Sequence, residues 1–340
     1  MLAVISIETF FCNTRRWYWC EKLIKLSVWL DKCCVLSMRN VVFFGNGLNR
    51  ISDDDDLGWS TLLEKCVSNQ KYSDKVPYTL QYENGILAQL SKKRESEIKK
   101  CESKIKETIA KRVSGCNTNE VYEKLVDLCV EDYVTTNYDH AFDKALLKSG
   151  YNLCESRSFE KRYSIYRCRI YQKNGGVQKR VWAIHGDCEK PRTLIWGHEQ
   201  YGGQLRKISL LLNKAYMTKN AGWDFSALHK EYSWIDFFFN ANVYFIGFGL
   251  PYEEMDIWWL LVKRGKIKAQ HQEVHLKNRI CFYEVVDRRD DNQYLDKKNL
   301  LESMFVAYEH FEIEDKNEYR ELYEAIIENI KKSIASSNSI

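Results

Sequence analysis

Four short segments place polar residues or glycines directly after apolar runs. They are Gly45-Asn46-Gly47-Leu48-Asn49, Thr136-Asn137-Tyr138-Asp139, His185-Gly186-Asp187 and Gly247-Phe248-Gly249. An asparagine offers a donor and an acceptor without charge, and a histidine titrates near neutrality. Asn137 and His185 are therefore candidates for fixing a hydroxyl or a water and for accepting its proton. Glycines after a strand either turn the backbone sharply or let main-chain N–H groups face a phosphate. Taken singly, each segment reads as an ordinary turn or helix cap. In VVFFGNGLNR the two glycines do not complete a dinucleotide fingerprint, because Arg50 stands where the third glycine belongs.

The elements that must carry these segments alternate along the chain. Val41–Phe44 is a short apolar run of the kind buried on both faces of a parallel sheet. Further strands are expected in DYVT, NVYFIG and RICFYEVV, and YSIYRCRIY and VQKRVWAIH read as a hairpin split by Asn174-Gly175-Gly176. Helical spacing recurs at Trp59, Leu62, Leu63 and Cys66, and at Val121, Leu125 and Leu128 behind a capping box of Asn117 and Glu120. A helix entered at Pro251 and stopped near Gly265, and a final one with Tyr319, Leu322, Ile326 and Ile330 inward, complete the pattern. This alternation predicts an α/β fold: a Rossmann-like, doubly wound, mostly parallel sheet with a helical insertion at about 70–130. The polar segments then fall at carboxyl ends of strands, where such sheets bind ligands.

Composition narrows the class. The chain of 340 residues is 45% hydrophobic and 29% charged, as in ordinary globular proteins, and a net charge of +4 does not argue for nucleic acid. The lysines and arginines between Ser91 and Arg112 read as a solvated helical face. Twelve cysteines without a C-x-x-C pair point to reduced thiols in the cytoplasm and to no zinc site. His271 and His275 in HQEVH lack the glutamate of a zinc-protease motif and read as a surface pair, so no metal is expected. No apolar run is long enough to span a membrane, and the opening residues make a poor signal peptide. Trp19, Leu23, Leu26 and Leu30 suggest an amphipathic helix in an N-terminal extension, 1–37, with Met38 an alternative start.

In order and spacing, GNGLN, TTNYD, IHGD and FIGFG resemble the SIR2 superfamily, specifically the SIR2-like branch found in prokaryotic NAD-consuming immune effectors. The resemblance spans roughly Val41 to Val286. It implies a SIR2-like NAD-binding catalytic domain at 38–290, followed by a C-terminal helical segment at 291–340. By the same resemblance, Gly45, Asn46, Gly47, Leu48 and Asn49 cradle the diphosphate, with Thr136 and Asn137 near the nicotinamide ribose. Asp139 helps to hold the carboxamide, His185 is the active-site histidine, and Gly247, Phe248 and Gly249 line the adenosine side. Asn46, Asn49 and Thr136 depart from the sirtuin alanine, serine and glutamine. The missing zinc module counts against deacylation.

The implied activity is an NAD+ glycohydrolase that depletes NAD+ during anti-phage defence, working as a homo-oligomer or with a regulatory or sensor partner. Two alternatives stand beside it: a silent module that binds NAD+ or ADP-ribose and acts through a partner, and an abortive-infection protein with other chemistry. Asp187 reads either as a group orienting His185 or as a turn cap. Glu253 and Glu254 read as structural, and Tyr201 as a packing residue.

Overall fold

The strand β1 (Arg39–Phe44) is wholly buried from Val41 onward, and it lies at the centre of an eight-stranded sheet. The computed structural model describes residues 38–51, 58–67, 72–73, 75–89, 95–158, 161–217, 222–223, 225, 228, 232–270, 276–288 and 293–337. The helix expected around Trp19–Leu30, the aspartate run at 53–56 and HQEVH lie outside them.

Four helices fill the crossover after β1: α1 (Trp59–Cys66), α2 (Tyr78–Gln89), α3 (Glu95–Val113) and α4 (Glu120–Val126). Then follow β2 (Asp132–Thr135), α5 (Ala141–Lys148), β3 (Asn152–Arg157), β4 (Cys168–Gln172) and β5 (Gln178–Ala183). Helices α6 (His198–Ala215) and α7 (Trp234–Asn240) lead to β6 (Ala241–Ile246), α8 (Met255–Gln270), β7 (Ile280–Asp287), α9 (Gln293–Ser303), β8 (Ala307–Ile313) and α10 (Tyr319–Ser337).

The spatial order is β8-β7-β6-β1-β2-β5-β4-β3. The six strands from β8 to β5 run parallel. Counted along the chain, those six stand in the order of a dinucleotide-binding sheet, with the direction of winding reversing between β1 and β6. The predicted hairpin joins β4 to β5, with Gly175 and Gly176 both at positive φ, and β3 adds an exposed antiparallel edge. The fold is thus α/β and Rossmann-like, as the alternation predicts. The polar strands β3 and β8 carry too weak a pattern to be read beforehand.

Alternate residues of each strand point to opposite faces, which divides the core in two. Val42, Phe44 and Tyr133 pack with α4, α5 and α10 on one face, where α10 buries Tyr323, Ile326, Ile327, Ile330 and Ile334. Val41, Phe43, Val134 and Phe245 pack with α6, α7 and α8 on the other.

Two helix ends differ from the sequence pattern. Asn119, not Asn117, caps α4, its side-chain oxygen accepting the N–H groups of Val121 and Tyr122 at 3.1 Å. Helix α8 starts at Met255 rather than Pro251 and runs through Gly265, whose bare Cα lets the backbone of Met304 pack close. Lys106 departs from the solvated face of α3: it is buried and donates to the Leu194 carbonyl at 2.6 Å.

Candidate active site

The reversal between β1 and β6 brings the first and last of the four polar segments together. The register pairs Phe44 with Ile246, so Gly45 and Gly247 follow at the same level. The 3-10 turn Asn46–Ile51 then packs directly on the loop after β6. Gly45 N–H donates to Ile246 O at 3.3 Å, Gly47 N–H to Gly247 O at 2.7 Å, and Leu48 N–H to Gly45 O at 3.4 Å. A Cβ on Gly47 would lie 2.6 Å from Gly247 O and 2.7 Å from the Tyr323 hydroxyl, and Gly247 itself has φ +60°. These glycines serve a close approach of two loops, and the three N–H groups are already engaged. Within the expected cradle, the amides of Gly45, Gly47 and Leu48 thus meet backbone carbonyls. Leu48 is a core residue beneath Gly247 and takes no part in a ligand surface.

Above this junction lies a cavity of about 280 Å³ walled by Asn46, Gly47, Thr136, Gly247, Phe248 and Gly249, together with Arg50, Glu284, Tyr319 and Tyr323. Arg50, Gly249, Pro251, Glu284 and Tyr319 also wall a neighbouring space of about 1030 Å³ that carries Lys75, His198 and Lys297. The cations Arg50, Lys75 and Lys297 and the acids Glu253, Glu284 and Asp287 thus share the walls of a cleft at the switch point. Lys297 donates to Gly249 O at 2.8 Å and pairs with Glu284. Arg50 is exposed and reaches the Tyr319 hydroxyl at 3.4 Å.

Asn49, Asp139 and Asn137 stand behind the wall in one buried network. Asn49 Nδ2 donates to Asn46 Oδ1 at 2.8 Å and to Asp139 Oδ2 at 3.0 Å, and Asn49 Oδ1 accepts from the Tyr122 hydroxyl at 2.8 Å. Burial raises the Asp139 pKa, although hydrogen bonds from Ala141 N and Asn49 counter it. Asn137 Nδ2 makes a long bond to the Tyr122 hydroxyl at 3.4 Å, while its Oδ1 is buried without a partner. An orphaned buried acceptor costs about 1–3 kcal/mol unless a water or a ligand donor meets it.

His185 stands at the same level on the neighbouring strand, because the register pairs Thr135 with Ala183 and each candidate lies two residues further on. It is only 1% exposed. Its Nε2 lies 2.9 Å from Asp256 Oδ2 and its Nδ1 3.5 Å from Glu254 Oε2. The Tyr201 ring meets the imidazole edge-on at 5.3 Å, and its hydroxyl donates to Glu254 Oε2 at 2.9 Å. The Tyr78 hydroxyl bonds that of Tyr201 at 2.8 Å and reaches Glu254 Oε1 at 3.3 Å. Burial would lower the His185 pKa, but Asp256 and Glu254 outweigh it and raise it. Burial pushes the Glu254 carboxyl up to about 7.

No hydrogen bond joins Asn137 to His185. They end adjacent strands but belong to separate networks. Asp187 does not orient His185 either: it accepts from His140 Nε2 at 3.0 Å and pairs with Arg169. Glu254 and Asp256, not Asp187, flank the histidine, and Glu254 is no bystander at the start of a helix. The only hint in the sequence was an acidic cluster, EEMD, just after the last glycine segment.

Two groups among the described residues bring histidine and acidic or thiol ligands together. His140, Asp187 and Cys188 already have the Arg169 guanidinium among them. Around His185, Glu254 and Asp256 approach opposite ring nitrogens, so all three cannot chelate one ion without the ring turning. No described helix is long and apolar enough to cross a membrane.

Comparison with curated proteins finds no match. The sequence pattern of the SIR2-like domain matches residues 131–308, more than half of the chain. The match takes in the Asn137, His185 and Gly247 segments and begins after the Gly45 loop, which the sheet topology joins to them. The chain therefore belongs to the SIR2-like family, which points to an NAD-related function.

Proposed function

We propose that this protein is an NAD+ glycohydrolase. The observation that carries the reading is the unpartnered, buried Oδ1 of Asn137, which stands behind Thr136 in the wall of a cleft at the switch point of a dinucleotide-type sheet. Arg50 and Lys75 on the cleft wall supply positive charge for a diphosphate. Asn137 Oδ1 would accept a ribose hydroxyl or the attacking water. In hydrolysis the C1′–N bond breaks with its electron pair leaving on nicotinamide. Water oxygen bonds to C1′ and gives a proton to His185. Because His185 is buried with the Tyr201 ring edge-on against it, turnover requires that cover to open.

This closed histidine also favours a second reading, a module that binds NAD+ or ADP-ribose without cleaving it. On the hydrolytic reading, depletion of NAD+ in anti-phage defence, with control by self-association or a sensor partner, gives the closed site a purpose. Chromatography of NAD+ incubated with the purified protein separates the readings. Nicotinamide release that is lost in both Asn137→Ala and His185→Ala supports hydrolysis. Tight binding of NAD+ without release, alone and during infection of expressing cells, supports the silent module.

A further inference from the structure

We propose that Asp256 is the positioning residue of His185: its carboxylate accepts the Nε2 proton and fixes the tautomer whose Nδ1 takes a proton from the substrate side. The inference rests on the hydrolytic reading and deepens it.

The two carboxylates around the ring are not equivalent. Asp256 is fully buried in the first turn of α8, where a negative group suits the helix start. Its Oδ1 accepts the Ile257 N–H at 2.9 Å, which fixes the direction of Oδ2, 2.9 Å from Nε2. A carboxylate can only accept, so Nε2 must carry hydrogen. On the other side, Glu254 lies 3.5 Å from Nδ1, beyond good hydrogen-bond length, and its oxygens are taken by the Tyr201 and Tyr78 hydroxyls. The short contact orients the ring. The long contact leaves Nδ1 without a good hydrogen bond, the state a proton acceptor needs.

The charged and titratable groups facing the ring are Asp256 from α8, Glu254 just before it, Tyr201 from α6, Tyr78 from α2 and Arg167 from the segment before β4. Arg167 opposes the carboxylates, and Tyr138 lies near both of them. Neutralising Asp256 therefore lowers the His185 pKa, and the activity that requires a neutral ring extends to lower pH.

The test compares wild type with Asp256→Asn and Asp256→Glu in the full chain, by nicotinamide release between about pH 5 and about pH 9. In Asp256→Asn, kcat falls on the order of 10²-fold or more while KM stays within about threefold, and the acid limb moves to lower pH. Asp256→Glu, which keeps the charge, retains the wild-type acid limb. Nitrogen NMR of the labelled wild type, with the His185 signals identified by their loss in His185→Gln, reads the tautomer without any turnover. Above its titration the neutral ring carries hydrogen on Nε2. A neutral ring protonated on Nδ1, or an Asp256→Asn enzyme with wild-type kcat and pH profile, overturns the proposal. A wild type that releases no nicotinamide counts against hydrolysis instead, and the tautomer then decides this inference.

Discussion

The amide of Gly47 donates to the carbonyl of Gly247 across 2.7 Å, tying the loop after the first parallel strand to the loop after the fourth. This bond closes the floor of the cleft, and it explains why two glycines follow β1 without completing a phosphate-binding fingerprint. The backbone of one loop rests on the backbone of the other, and a methyl group does not fit between them.

Gly47→Ala should therefore destabilise the protein by about 1–3 kcal/mol, the usual cost of overpacking. Gly249→Ala, with nothing within 4 Å of the added Cβ, should stay within about 0.5 kcal/mol. Thermal unfolding of the two variants measures the difference. Equal losses would mean that the two loops do not meet as described.

Asn137 combines a free acceptor with a single long hydrogen bond. Its replacement by alanine should cost less than about 1 kcal/mol of stability while lowering nicotinamide release on the order of 10²-fold. A large loss of stability with activity retained would make Asn137 a structural residue. Parallel melting curves and turnover assays decide it.

Arg50 occupies the third-glycine position and walls both parts of the cleft. Arg50→Gln should raise KM for NAD+ about tenfold, near 1.4 kcal/mol, with little change in kcat. Raising the salt concentration should weaken wild-type binding more than that of the variant. An unchanged KM would place the diphosphate elsewhere.

The pair His140 and Asp187 makes stability depend on pH. Burial would lower the His140 pKa, but hydrogen bonds to Asp187 and Cys188 push it up to about 10 from an ordinary 6.5. This contribution is complete below about pH 6.5 and lost as pH rises towards 10. Burial would raise Asp187, but His140 and Arg169 hold it at about 2, below its ordinary 3.8, so its contribution is lost only as pH falls through that window. Wild type should lose about 1–3 kcal/mol between pH 6.5 and 10 that His140→Gln does not lose. Chemical denaturation at several pH values tests this, and parallel pH curves for the two proteins would contradict it.

Much of the scaffold is legible in the residues alone. Val41–Phe44 and NVYFIG read as buried strands, because a sheet covered on both faces shields so short and continuous an apolar run. The hairpin at Asn174-Gly175-Gly176 announces itself through glycines that tolerate positive φ, and both adopt it. The strands β3 and β8 stay hidden, since NLCESR and AYEHFEI hold too few buried positions to show a period. The apolar periodicity of α10 is plain, although its buried stripe centres on Tyr323 and Ile327 rather than on Tyr319 and Leu322.

Chain order and residue type were sufficient to bring Asn137, His185 and the two glycine loops to one edge of one sheet, because strand ends are fixed by local pattern. Which side chains then touch depends on how α2, α6 and α8 pack over that edge, and no local pattern encodes it. Packing alone turned Asp187 towards Arg169, placed Glu254 and Asp256 on either side of the imidazole, and gave the amides of Gly45, Gly47 and Leu48 backbone partners. Partners as distant in the chain as His185 and Asp256, 71 positions apart, meet only when the hydrophobic faces of their helices have been buried, so the protonation of the histidine is a property of the folded core.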